Sequence, residues 1–305
     1  MAEVLIIGTV ALDTLETPFG RVENALGGSA SYASVAASFF SRPAVISIIG
    51  KDFPDEYLEF LSNKNIELDG VQRDEKTFHW EGFYEYDMNE AKTRKTDLNS
   101  LASFRARVPE KYKNIKYVFL ANIDPEQQLE TLRQIDKPEL VVLDTMNFWI
   151  SSKRKQLMDA IRMADVLLLN DGEARQLFNT ASLVKAAGEA LKSGPKALII
   201  KKGEHGALLF TKNKQSADLR HFSAPGYPLE NIKDPTGCGD CFGGGFIGYL
   251  AKTRDLSEAN FRKAIIYGSV IASHNAEDFS LNRLKSLTMR DIKSRYNEFR
   301  DIREF

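Results

Sequence analysis

The sequence predicts an α/β fold of three layers, a parallel sheet with helices on both faces, and a small antiparallel sheet outside it. Three observations carry that prediction. Short apolar runs recur at residues 4–7, 44–49, 117–121, 140–144, 166–170 and 197–201. Runs of that length and character are what strands buried on both faces look like. Helical stretches lie between the later runs, near 126–134, 153–163, 173–178 and 183–192. Strand–helix alternation implies parallel pairing, with ligands at the carboxyl ends of the strands. Between 77 and 99 the character changes. Phe78, Trp80, Phe83, Tyr84 and Tyr86 alternate loosely with His79, Glu81, Glu85 and Asp87, the period-two pattern of antiparallel strands.

Bulk properties narrow the function classes. The 305 residues carry 41 basic and 42 acidic side chains, a net charge of -1. No global field draws the chain to nucleic acid or to an anionic membrane. No apolar run reaches the roughly 18 residues of a membrane span. The first residues, Met-Ala-Glu-Val-Leu-Ile-Ile-Gly, read as a buried strand rather than a signal peptide. Two cysteines allow at most one bridge, and a reducing, cytoplasmic setting is the default expectation. No linker or repeat is visible, so residues 1–305 are expected to form one domain.

The elements can be taken in order. The first strand ends at Gly8, and Asp13 follows in apolar or small company. A carboxylate there needs a partner. It is a cap or turn residue, or an acceptor for substrate hydroxyls. Gly27-Gly28-Ser29-Ala30-Ser31-Tyr32 opens a helix of small residues, suited to close ligand approach or to tight packing on the sheet. Gly50-Lys51 ends the next strand without the glycine and hydroxyl spacing of a P-loop. Residues 54–63 read as a helix with proline at its start. Polar residues then collect at strand ends: Asn122, Asp144, Asn147, Asn170 and Glu173. Asn170 and Glu173, three apart at a helix start, could cap that helix or hold hydrated Mg²⁺ near phosphates. Lys202-Gly203-Glu204-His205-Gly206 reads first as a hairpin turn. The four histidines do not stand at zinc-ligand spacing, and no Gly-x-Ser-x-Gly elbow is present. The tail, 290–305, is a charged helix with Ile292, Tyr296 and Phe299 turned inward.

The most informative stretch is Asp234-Pro235-Thr236-Gly237-Cys238-Gly239-Asp240-Cys241-Phe242-Gly243-Gly244-Gly245-Phe246. A polar loop turns into a helix here. Unpartnered N–H groups and the positive end of the helix dipole make an anion cradle. Asp240 places a carboxylate inside that cradle, where it can take a proton from a hydroxyl as a phosphoryl group arrives. Cys238 and Cys241 form a Cys-x-x-Cys at a helix N-terminus, a setting that lowers thiol pKa and can make a redox pair. Small-residue substitution is the competing account.

This stretch resembles the C-terminal signature of the ribokinase-like (phosphofructokinase-B-type) carbohydrate and nucleoside kinases. The resemblance runs from Asp13 to the signature. It implies a Rossmann-like (ribokinase-like) core with a β lid built from about 14–25 and 77–99. It implies phosphoryl transfer from ATP with Mg²⁺ to a hydroxyl of a small sugar, or alternatively to the 5′-hydroxyl of a nucleoside. A non-catalytic binding regulator is a third reading. By the resemblance, Asp240 is the base and Gly237, Cys238 and Gly239 supply the anion-binding amides. Asp13, Gly27 and Gly28 bind the acceptor. Asn170, Glu173, Lys202, Gly203 and Gly206 belong to the nucleotide side, with Glu173 holding Mg²⁺ through water. Asp234 and Thr236 match positions that hold a monovalent cation, K⁺, in many relatives. The family often shows Asn where this chain has Tyr32, a departure that bears on the acceptor. Exposed lid aromatics could stack on a base, or make a homodimer interface.

Overall fold

A computed structural model describes residues 1–212 and 218–303. Thirteen strands form two sheets. They are β1 (Val4–Ile7), β2 (Ala11–Thr17), β3 (Gly20–Gly27), β4 (Pro43–Gly50), β5 (Glu67–Asp74), β6 (Phe78–Phe83), β7 (Lys92–Asp97), β8 (Tyr117–Leu120), β9 (Leu140–Leu143), β10 (Val166–Asn170), β11 (Ala197–Lys201), β12 (Ala207–Lys212) and β13 (Leu219–Ala224). The main sheet runs β13-β12-β11-β10-β9-β8-β1-β4-β5. It is parallel from β11 to β5, and β12 and β13 continue it as an antiparallel edge.

The apolar strands sit in the sheet because both faces are covered. Val4 and Ile6 enter one core, Leu5 and Ile7 the other. The first core lies under the helices Ser29–Ser38, Cys238–Thr253 and Glu258–Asn275. The second lies under Pro125–Arg133, Arg154–Met163, Asp171–Phe178 and Leu183–Lys192. The expected strands and helices in this region are present. The edge strand β5 has no apolar run, because it is only half covered. The C-terminal helix runs Met289–Asp301. Ile292 and Phe299 are buried, and Tyr296 stacks on Tyr267 at 4.3 Å. Glu304 and Phe305 of the expected tail helix lie outside the described residues.

The second sheet, β3-β2-β6-β7, is two antiparallel hairpins joined by a parallel pair, β2 with β6. It draws on the expected lid segments but begins earlier, at Ala11. One set of its side chains is an ion-pair network in which Glu16 meets Arg94 at 2.5 Å and Arg21 at 3.2 Å.

Order reverses around β1, since β4 and β8 flank it. A cleft opens at such a switch point, beyond the carboxyl ends of the strands. Here Ser29 bridges the two sides. Its Oγ accepts Thr9 N–H at 3.0 Å and donates to Asn122 O at 2.8 Å.

Candidate active site

The signature helix begins at Cys238, with Gly237 before it at φ 73°. That left-handed turn lets the loop end and the helix start. Cys238 N–H closes a turn onto Pro235 O at 3.1 Å. The amides of Gly237 and Gly239 have no backbone partner among the described residues. Of the three amides expected to bind an anion, that of Cys238 is engaged in the turn, and those of Gly237 and Gly239 are left without a backbone partner among the described residues. Tyr32 supports this loop from below. It is 1% exposed, and a Cβ at Gly237 would lie 2.3 Å from its ring. The departure at Tyr32 thus props the cradle from within the core.

Asp240 stands half-buried on the first helical turn. Burial, then the nearby Asp144 carboxylate, push its carboxyl up to about 7, against the pull of Lys201. Asp144 and Lys201 come from the ends of β9 and β11 and meet at 2.5 Å. Sequence reasoning placed Asp144 only among polar strand ends and passed over Lys201. Glu173 faces the same group. Burial pushes it up to about 7, Lys201 pulls it down and Asp144 pushes it up again.

Asn170 and Glu173 form a reciprocal cap, each accepting the other's backbone N–H at 2.7 Å. Capping and a role near phosphate are thus compatible, since the cap fixes the Glu173 carboxylate beside Lys201. Lys202, Gly203 and Gly206 form a tight turn after β11, in which Lys202 N–H bonds Gly206 O at 2.8 Å.

Asp13, expected on the acceptor side, is 4% exposed. Gly27 and Gly28 press their backbone onto it: a Cβ at Gly27 would lie 1.9 Å from Asp13 Oδ2. Asp13 Oδ1 is buried with no partner among the described residues. Burial, with Asp234 and Asp240 adding, pushes Asp13 up to about 8 against the pull of the Gly28 backbone N–H. A carboxyl raised this way favours folding below its unfolded pKa, and the benefit is lost as pH rises toward 8. Asp13→Asn cannot ionise. It is expected to be more heat-stable than wild type at pH 8.5, by on the order of a few kcal/mol, and equal or weaker at pH 5. The same variant should weaken acceptor binding by about 10–100-fold. Calorimetry at both pH values and acceptor titrations check it, and identical melting shifts at both pH values would contradict it.

Asp234 is fully buried. Its oxygens accept Thr236 N–H at 2.9 Å and Ser280 N–H at 3.0 Å, and no ion pair reaches it among the described residues. Thr236 O accepts Asn275 Nδ2 at 2.8 Å, while Asn275 Oδ1 is buried and unpartnered among the described residues.

The cysteines are free. Cys238 Sγ donates to Ala272 O at 3.4 Å and Cys241 Sγ to Tyr32 O at 3.8 Å. Burial pushes Cys238 up to about 12 and Cys241 well above its ordinary value. Desolvation outweighs the helix start here, which favours small-residue substitution over the redox pair as the account of the Cys-x-x-Cys.

The lid aromatics are also occupied. Trp80 packs on Gly82 and donates to Thr93 Oγ1 at 3.1 Å, Arg94 covers Phe83 at 4.5 Å, and Tyr84 OH meets Thr236 Oγ1 at 3.4 Å. Packing is the better account of Trp80 and Phe83, and the Tyr84 hydroxyl is taken up by the signature loop. Tyr86 stays exposed. Past Tyr84 the lid reaches the other half of the cleft, since a Cβ at Gly203 would lie 3.6 Å from Asn89 Oδ1.

A cradle for anions beside a carboxylate that titrates near neutrality suits the transfer of a charged group to a hydroxyl. The chain is a phosphotransferase with an alcohol acceptor. Residues 2–283 match the pfkB family carbohydrate kinase model, and the chain belongs to that family. It is 30% identical to a cytidine kinase of Thermococcus kodakarensis, over 85% of this chain and 92% of that protein. Its fold is similar to that of the Methanocaldococcus jannaschii nucleoside kinase, an archaeal member of the ribokinase family. The TM-score is 0.75 at 20% identity, covering 97% of this chain and 98% of that one. It is also similar to a ribokinase II structure from E. coli in complex with ATP and Mg²⁺. There the TM-score is 0.76 at 16% identity, covering 98% and 99%.

Proposed function

We propose that the protein is an ATP-dependent nucleoside kinase that phosphorylates the ribose 5′-hydroxyl. The observation that carries this is the buried, unfilled Asp13 Oδ1 beside Gly27 and Gly28, in electrostatic reach of Asp240. A vicinal diol would supply the missing donor. The 30% relative acts on cytidine, which favours a nucleoside over the free sugar that the sequence resemblance put first. With the lid aromatics packed, a candidate platform for the base is Phe148, an exposed ring 4.8 Å from Trp149. Trp149 Nε1 donates to Asn122 Oδ1 at 3.0 Å, and Asn122 O accepts from Ser29 at the acceptor helix.

Asp240 takes the proton of the attacking hydroxyl, a step worth about 10²–10⁴-fold. The Gly237 and Gly239 amides hold charge on the transferred group, each donor worth about 3 kcal/mol. Asn170, Glu173, Lys202, Gly203 and Gly206 flank the nucleotide. Three carboxylates, Asp144, Glu173 and Asp240, face one ammonium, Lys201. That donor set fits Mg²⁺ near Glu173 through water. The ion would shield phosphate charge. Asp234, with no ion pair among the described residues, and with Thr236 O and Asn275 Oδ1 in the same loop contact, fits K⁺. The second sheet acts as the lid of a single 1–305 domain.

A thermal-shift panel tests this, followed by ADP release for the ligands that bind. Cytidine and other nucleosides should raise the melting temperature, ribose and fructose should not, and KCl should exceed choline chloride. Sugars that shift and release ADP while nucleosides stay silent would move the assignment to a sugar kinase. Shifts without ADP release would make the protein a regulator.

A further inference from the structure

Tyr32 is the one large side chain in a helix start of small ones. From Gly28 to Ser38 all the other residues are Gly, Ser, Ala or Val. Its N–H bonds Gly28 O at 3.2 Å, and its ring runs inward beneath Gly237. Its hydroxyl ends in the core and completes no hydrogen bond among the described residues. Packing accounts for the ring and leaves the hydroxyl unexplained. Phenylalanine would fill the same space without stranding a donor, and a stranded buried donor costs stability.

Asp234, Asp13, Cys241 and Ser280 face the hydroxyl. Burial, then Asp234 and Asp13, push the phenol well above its ordinary value, so it remains a neutral donor with a single proton. Asp13 Oδ1 is buried and equally unpartnered among the described residues. One hydroxyl thus faces both the carboxylate expected to hold the acceptor and the carboxylate expected beside a cation. The asparagine common at this place in the family is too short to reach there.

Ser280 joins the same two parts through hydrogen bonds. It is buried and holds φ 53°, a left-handed conformation that a residue with a side chain keeps only when its surroundings hold it there. Its N–H donates to Asp234 Oδ2 at 3.0 Å and its Oγ to Leu26 O at 2.6 Å. Leu26 precedes Gly27, whose backbone is pressed against Asp13. The turn at Asp13 and the loop at Asp234 are therefore one connected unit, and a close-packed interior passes displacement on rather than absorbing it.

We propose that Tyr32 is a positioning residue whose hydroxyl couples the acceptor pocket at Asp13 to the Asp234 loop, so that acceptor and monovalent cation bind cooperatively. The proposal rests on the kinase reading above and on the cation site at Asp234. A hydroxyl has one proton and serves one carboxylate at a time. With positive charge beside Asp234, the Tyr32 hydroxyl is free to turn toward Asp13 and steady it for the acceptor. Without that charge, two buried carboxylates compete for the same donor.

Tyr32→Phe removes the hydroxyl and keeps the ring under Gly237. It is expected to fold, and to melt at or above the wild-type temperature. Calorimetric titration with cytidine, in KCl and in choline chloride at equal ionic strength, reads the coupling. In wild type, KCl should tighten cytidine binding about tenfold, and cytidine should tighten K⁺ binding by the same factor, because coupling is reciprocal. In Tyr32→Phe the factor should fall to within about twofold. A Tyr32→Phe protein that keeps the wild-type factor overturns the proposal, and so does a wild type that binds cytidine equally well in both salts.

A second comparison needs no acceptor. Asp13→Asn in wild type should change the rise in melting temperature that KCl gives over choline chloride. In the Tyr32→Phe background the same substitution should leave that rise as it was. A wild-type protein that binds no nucleoside would sink the nucleoside reading and leave this comparison to decide. Equal KCl effects in wild type and Asp13→Asn overturn the coupling and keep the cation site. A wild type whose melting ignores KCl removes the cation site and the coupling together.

Discussion

Asp240→Asn is expected to lower kcat by about 10²–10⁴-fold while ATP still binds. Asparagine keeps the shape of the side chain and cannot accept the proton. The wild-type pH profile should carry the mark of the same group. As the proposed base, Asp240 would act only when ionised, and its carboxyl is raised to about 7 by burial and Asp144. The kcat/KM of the free enzyme is therefore expected to climb as pH rises through about 7 and to level off above it. An ordinary carboxylate would leave the profile flat from about pH 5 upward. Single-turnover assays with saturating nucleotide, from pH 5.5 to 9, check both statements. Turnover retained in Asp240→Asn would sink the base assignment.

Gly237→Ala should be the second large effect, with kcat down by about 10²-fold and a lower melting temperature. Two causes act together. The residue sits at φ 73°, where a side chain costs about 1–2 kcal/mol. The added Cβ would also come within 2.3–2.5 Å of the Tyr32 ring, which is buried and has nowhere to go. The loop would have to move, taking the Gly239 amide and Asp240 out of register. Tyr32→Ala in the same background should return part of the turnover while leaving the melting temperature low. A Gly237→Ala protein with wild-type kcat and wild-type melting temperature would show that the cradle does not depend on this turn.

The main sheet was legible because its parallel strands from β4 to β11 along the sheet are short apolar runs with no polar alternation. Strand β5 was not, since Glu67–Asp74 lies at the sheet edge and needs few apolar residues. The cradle was legible from the glycines and Asp240, which are neighbours in the chain. Lys201 was not, because its meaning depends on Asp144, 57 positions earlier. A lysine at the end of a strand ordinarily runs into solvent. The cysteine pair left two accounts open for a related reason. Its spacing and helix position are local facts, whereas the thiol pKa is set by burial against Ala272 and Tyr32, which are distant in sequence. The lid aromatics were seen as a group, and only the folded sheet shows that Gly82 packs on Trp80, Arg94 covers Phe83 and Thr236 meets the Tyr84 hydroxyl.

The acceptor helix Ser29–Ser38 and the signature helix Cys238–Thr253 touch backbone to backbone. A Cβ at Gly244 would lie 2.1 Å from Ala33 O, and one at Gly248 would lie 2.8 Å from Ala37 Cα. Contact that close leaves no slack for sliding, so the spacing between the proposed acceptor pocket and the proposed cradle is fixed at folding. Descendants of such a chain can drift toward new acceptors only through the parts that are not clamped, the second sheet and the loops at the strand ends. The chemistry is then inherited unchanged, and substrate range is what divergence can alter.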